Sequence, residues 1–472
     1  MLIDIQRWRG CVLKDKLTKS VDYGRSLGAE YVEVRAQKLF KTLLTTKDGR
    51  VEGAKEGTES GAGVRALVNG AWGFVSLGKL DSKPLTEAVD DAVRLAKAAS
   101  LRVKSPVKLA EVKTVEDRVV AKPRKKPQDV SMEEKIDNAL AIDKTIFGVD
   151  SRIKSCTISY LDITGTNYFV NSDGTCIEQD KLYVWSRILA SARENSIFAS
   201  AREEIGSTAG YEVFDTETPE KVGNMVANRV VEQLKAKTPK GGAFPAVIGP
   251  NVVGVFIHEA MGHLAEADLT LSGSVLYDKL GKQIASDAVT VYDDGIVEGA
   301  LGSFRYDDEG VCAQKTPLIE KGTLTGLMHN RETACKLNME PTGNARAEDF
   351  RFEPIVRMRN TYLASGDRSF EELIEDVDFG YYLKSFRGGQ ANLDGTFQVG
   401  IQEAYEIVKG ELGDAVRSAS ISGNTLETLR KVDAVGKDFE LWPGRCGKGQ
   451  TAFICDGGPH IRVGEVIIGG GA

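Results

Sequence analysis

No apolar run in this chain of 472 residues is long enough to span a bilayer. The longest, roughly 243–257, is interrupted by two prolines. Positive charge is not in surplus either. A formal net charge of -7 gives no electrostatic reason to expect nucleic acid or an anionic membrane as partner. Seven cysteines, an odd number scattered along a long chain, do not make a disulfide framework. In the opening stretch "MLIDIQRWRGCVLKDK" charges break every apolar run, so it does not read as a signal peptide. These absences predict a reducing, cytoplasmic setting. Histidine is scarcer still, with four in the whole chain.

The remaining composition is that of a globular protein, 42% apolar and 27% charged, long enough for two to four domains. Glycine is abundant, 50 of 472 or roughly 11% against an average near 7%, which predicts the many tight turns of a β-rich architecture. Helical spacing runs from Lys14 to Leu27 and stops at Gly28. Alternating segments follow, with Asp48-Gly49 and Asn69-Gly70 where two-residue hairpin turns belong. Helices are expected at 85–98, 132–146 and 219–236. A second strand set lies between the last two, and its Asp173-Gly174 turn echoes the first hairpin. The cluster "KPRKKPQ" reads as a solvated linker rather than an interaction patch.

The expected fold class is α+β: an N-terminal antiparallel sheet flanked by helices, followed by a β-rich C-terminal domain carrying a distorted HExxxH helix. The expected domains are 1–238, with lobes of about 1–100 and 128–238 joined by a linker at 101–127, and 239–472. The boundary falls at the Pro/Gly-rich "KTPKGGAFP".

Two of the four histidines sit in "FIHEAMGHLAEAD", where His258, Glu259 and His263 read H-E-x-x-x-H. Residues five apart on a regular α-helix differ by about 140° in azimuth, so these rings could not grip one ion. A π-type bulge returns position i+5 to the same face, and Gly262 lowers the cost of such an irregularity. The spacing therefore predicts a pinched helix between Glu259 and His263. Two imidazoles would then hold Zn²⁺, with the adjacent glutamate deprotonating the water that attacks a carbonyl. Catalytic zinc usually has three protein ligands, and the residues alone leave Glu266, Asp268, His329, Cys446, Cys455 and His460 open as the third. A thiolate is the softest of these. The competing structural reading, a core helix with satisfied histidines, must explain a glutamate set in an apolar helix.

"HEAMGHLAEAD" together with "GRCGKGQ" resembles the TldD branch of the TldD/PmbA (modulator of DNA gyrase) metallopeptidase family. Supporting stretches include "GAGVRALVNGAWGFVS", "LIEKGTLTGLMHNRETA", "MRNTYLASG" and "SISGN", so the likeness runs from about 31 to 463. The resemblance implies His258, His263 and Cys446 as ligands of one Zn²⁺ per chain, with Glu259 as general base. It implies proteolysis of unfolded or short peptides of the leader or propeptide type, and pairing with a TldE/PmbA-like partner or as a homodimer. The TldE-like branch lacks the histidine motif. The segment "TAFICDGGPHIRV" departs from the pattern by adding Cys455 and His460 near the third ligand.

Around such a centre, Glu266 and Asp268 are expected to orient a ligand imidazole, and Tyr306 or Lys448 to donate to a developing oxyanion. The alternative function is a scaffold or binding subunit of a TldD/TldE-like complex with a structural metal, in which Glu259 would have no task. Two decoys fall away. "GRSLG" ends a helix instead of joining strand to helix as a nucleophile elbow must, and "GRCGKGQT" has Gly449 where a phosphate loop needs Ser or Thr.

Overall fold

The computed structural model describes residues 2–470, with side chains described from 12 onward, so most side chains of the opening stretch lie outside the described residues. Helix α1 (Leu2–Ser26), strands β1 (Tyr31–Lys47), β2 (Arg50–Val68) and β3 (Ala71–Leu77), and helix α2 (Ser82–Ser100) form an α-β-β-β-α unit. The two hairpin turns sit where the sequence places them. Asp48 and Gly49 take φ of 50° and 76°, Asn69 and Gly70 take 47° and 73°, and both φ values of a type I′ turn are positive.

The same order recurs in α3 (Met132–Val149), β5 (Ile153–Asn171), β6 (Cys176–Glu194), β7 (Ile197–Ser207) and, after a short α4 (Val213–Thr216), α5 (Pro219–Lys235). Antiparallel pairing of β1 with β5, from Glu33↔Asn171 to Lys47↔Thr157, fuses the units into one sheet. Within 101–127 only β4 (Glu116–Val119) is a regular strand, parallel to β6. β2 begins as an exposed strand over its first half, while the far end of β1, paired with both β2 and β5, keeps Thr42, Leu44 and Thr46 buried.

The helices cover one face of this sheet, α1 and α2 over β1 and β2, α3 and α5 over β5 to β7. The other face presents Leu39, Ile163, Tyr183 and Trp185 to Leu301 and Cys455 of the C-terminal half. Arg65 ties the halves together, its Nε 2.9 Å from Glu33 and its Nη2 2.7 Å from Glu309, all buried.

The C-terminal half opens with β8 (Gly242–Ile248) and then α6 (Pro250–Ile257), Pro250 at the first turn where its missing N–H does no harm. Strands β9 (Val291–Asp294), β10 (Lys315–Glu320) and β11 (Thr323–Leu324), and the two-stranded ribbon β12 (Ala345–Arg346) and β13 (Ile355–Val356), precede β14 (Asn360–Leu363). Strands β15 (Phe379–Ala391), β16 (Thr396–Val408), β17 (Glu411–Val416), β18 (Ala419–Asn424), β19 (Val432–Val435), β20 (Glu440–Gly447), β21 (Thr451–Gly458) and β22 (Ile461–Gly470) follow. The pairing order β15-β8-β22-β18-β16 is closed by β15–β16 into a barrel. A second sheet, β11-β10-β9-β14-β21-β20, stands beside it. α6 lies between barrel and sheet with every side chain buried, Phe256 against Phe397 of β16.

Candidate metal centre

The helix that starts as α6 is pinched at His258–Gly262, a single π turn, before continuing as α7 (His263–Ala265) and α8 (Ala267–Leu271). The His263 N–H donates to the His258 carbonyl, the i to i+5 bond that defines the bulge. The extra residue brings both imidazoles to one side, ring centroids 5.0 Å apart. Gly262 is also a packing requirement, since a Cβ there would stand 2.0 Å from Met358 Sδ. Gly254, two turns earlier, meets a similar demand. It lets α6 lie against β21, where a Cβ would meet Asp456 Oδ1 and the Gly457 nitrogen at 2.6 Å.

Cys446, on β20, completes the cluster. Its Sγ is 3.1 Å from His258 Nε2 and 3.3 Å from His263 Nε2. Ligand atoms of these three residues lie within 4.8 Å of one another, and among the described residues no other group of histidines, cysteines or carboxylates gathers so. Arg357 fixes the strand end, donating to the carbonyls of Cys446 (2.8 Å) and Gln450 (2.6 Å).

Each imidazole turns its other nitrogen toward a carboxylate. His263 Nδ1 is 3.0 Å from Glu266 Oε2, and His258 Nδ1 is 3.7 Å from Asp456 Oδ2 with no hydrogen-bond partner of its own. Glu266 is wholly buried yet well supplied, with the Met358 N–H at 3.2 Å and Lys448 Nζ at 3.1 Å. Burial opposes charge on the Cys446 thiol, but the imidazoles facing its sulfur outweigh it and hold the thiol at about 4. Burial likewise disfavours the His263 cation, and the Cys446 and Glu266 contacts override it. Burial pushes Asp456 up to about 7 against the pull of His258, with Glu259 adding to the rise.

The cluster forms the floor of a cleft of ≈ 690 Å³, and the half-buried Glu259 lines the same cleft. Of the other expected residues, Glu266 and Lys448 are at the cluster. Asp268 stands one step out, joined to it through Lys448 at 2.7 Å. Lys448 is less free than an oxyanion donor should be: Glu266, Asp268 and the Val356 carbonyl take up its ammonium.

Tyr306, expected beside the oxyanion, does not line the cleft. Its hydroxyl donates to Asp117 and its ring packs with Phe169 and Ile177. Nor are the alternative third ligands at the cluster. Strand alternation sends Cys455 to the opposite face of β21, where its sulfur accepts from the Leu301 N–H. His460 bonds Asp438 and Tyr382, and His329 bonds Thr333.

No sequence pattern singles out Asp456, Arg357 or Met358 as neighbours of the cluster. The one available signal is a carboxylate, Asp456, inside the apolar strand "AFICDGG".

Family models for the PmbA/TldA metallopeptidase match the chain in three blocks: domain 1 at 32–100, the central domain at 125–236 and the C-terminal domain at 241–470. A metalloprotease of Methanothermobacter thermautotrophicus is 41% identical, the alignment covering 93% of this chain and 96% of that one. A zinc metalloprotease TldD homolog of Saccharolobus solfataricus is 34% identical over 96% and 99%. Among solved structures, TldE from Thermococcus kodakarensis shares the fold, with a TM-score of 0.77 at 20% identity, covering 96% of this chain and all of that one.

Proposed function

The chain belongs to the PmbA/TldD metallopeptidase family, and from that premise we propose a zinc-dependent peptidase acting on unfolded or short peptides. The observation that carries the reading is the convergence of His258 Nε2, His263 Nε2 and Cys446 Sγ at the bottom of a cleft. The donor set fits zinc. Two imidazole nitrogens and a thiolate suit a borderline-soft ion, and three protein ligands leave a position open. His263 Nδ1 on Glu266 is an outward contact of the kind that fixes a ligand imidazole, and the orphaned His258 Nδ1 faces Asp456 at 3.7 Å. Zinc bound there would polarise a substrate carbonyl and lower the pKa of a water.

The chain's own residues do the rest. Glu259 accepts the proton of the attacking water on a carboxylate oxygen and returns it to the leaving amine. Glu266 orients the His263 ring, Asp456 faces the outer nitrogen of His258, and Lys448 balances the charge of Glu266. β20 ends its sheet, so an extended peptide has a free strand edge beside Cys446 for backbone pairing. N-methylated analogues should then bind poorly. A TldE-like partner or a second copy of this chain is the expected assembly, testable by the mass of the purified complex.

The scaffold reading, with a structural metal, is disfavoured by Glu259. Structural zinc sites are closed by four protein ligands, whereas this cluster faces an open cleft with a carboxylate beside it. Glu259→Gln should lower kcat/KM for peptides by about 10²–10⁴-fold while retaining about one zinc per chain. Unchanged cleavage in that variant refutes the base, and full-rate cleavage by metal-free protein refutes the metal.

A further inference from the structure

A second cavity of ≈ 410 Å³ lies between the helix-free face of the N-terminal sheet and C-terminal loops that include Phe304 and Arg346. Its size falls among small-molecule sites, about 300–1,000 Å³. It contains none of the three clustered side chains, and only Arg445 lines both spaces.

Two buried polar atoms of its lining are unanswered. Arg35, on β1, is 4% exposed. Its Nη2 donates to the Phe352 carbonyl, but its Nη1 has no hydrogen bond among the described residues and faces Asp308 at 3.7 Å. Asn167 Oδ1, on β5, also lacks a partner among the described residues. A buried donor and a buried acceptor left open in one void are unfavourable unless something occupies it.

The charges around the void are lopsided in availability. The carboxylates are already engaged: Asp307 accepts three backbone N–H groups, Asp180, Asp308 and Glu348 accept the N–H groups of Ala121, Ala347 and Thr451, and Asp349 holds Arg351. Among the cations, Lys41 and Arg351 are ion-paired and Arg35 faces Asp308, but Lys181, Arg305 and Arg445 pair with no described carboxylate and lie near the rings of Tyr183, Tyr306 and Phe453. Phe169, Phe304 and the stacked pair Tyr183–Phe453 supply flat apolar walls.

We propose that this cavity binds a small planar organic anion, an aryl carboxylate in chemical class. The anionic group is received by Arg35 Nη1 and Arg305, a donor of the ligand meets Asn167 Oδ1, and the ring lies among the aromatic walls. The pairing is charge-assisted and, at Arg35, withdrawn from water, which is where such a bond is strongest.

The test is calorimetric titration of the full-length protein with 1-naphthoate and with its neutral analogue 1-naphthamide. Saturable binding of one naphthoate per chain is expected, with the amide weaker by roughly tenfold or more. Metal removal should leave the affinity unchanged. Arg35→Gln should abolish the preference for the anion. Arg305→Gln, at an exposed position that does not endanger folding, should reduce it. Absence of saturable binding, equal affinity for the amide, full affinity in Arg305→Gln, or binding that vanishes with the metal would each overturn the proposal, the first meaning that water alone fills the cavity.

Discussion

Two buried histidine environments in this molecule behave in opposite ways. At His329 the ring is fully enclosed, bonded through Nδ1 to Thr333 with Nε2 unpartnered, and burial alone pushes its pKa down to about 4. At the π turn burial is nearly as deep for His258, yet both imidazoles are raised, because the Cys446 thiolate facing both rings, helped by Glu266 at His263 and Glu259 at His258, outweighs burial. Burial by itself makes a histidine neutral and inert. The convergence of anionic donors is what distinguishes the cluster.

The comparison can be broken in stages. Cys446→Ala should have the largest effect, removing the donor common to both rings and with it stoichiometric zinc. His329→Gln should leave metal content untouched, as elemental analysis of both variants would show. Glu266→Gln, which keeps the shape and deletes the charge behind His263, should weaken zinc binding about 10–100-fold in a competitive chelator titration.

Gly262→Ala comes next. Its Cβ would press on Met358 Sδ, and overpacking of this kind costs about 1–3 kcal/mol, readable by denaturant unfolding. The smallest effect at neutral pH belongs to the titration of His329. Its folded pKa of about 4 lies below the unfolded value near 6.5, so the unfolded chain binds more protons between them. Stability should fall as pH drops from 6.5 toward 4, by up to roughly 3 kcal/mol at full protonation. His329→Gln should flatten that part of the stability profile. An unchanged slope would assign the acid sensitivity elsewhere.

Much of the N-terminal sheet was legible because local signals agreed with the fold. Asp48-Gly49 and Asn69-Gly70 demanded I′ turns, and the helix spacings matched α2, α3 and α5 to within a few residues. β7 was harder to see, since the polar "SAREE" alternates without a strongly apolar face until it is paired with β6. The pinched turn was legible for a different reason: the sequence breaks the helical period there, and the structure honours the break. The ring of supporting residues was not legible. Asp456 and Arg357 reach the cluster only through the β20–β21 hairpin and the crossing of α6 over β21, contacts that no local pattern encodes. Tyr306 was misplaced for the same reason.

The account rests on one sulfur and two nitrogens sharing an ion. X-ray absorption at the zinc edge of the reconstituted protein reads that directly. It should show a single sulfur at about 2.3 Å alongside nitrogen or oxygen neighbours at about 2.0–2.1 Å, and the sulfur should disappear in Cys446→Ala. A spectrum of the unaltered protein with no sulfur neighbour would contradict it.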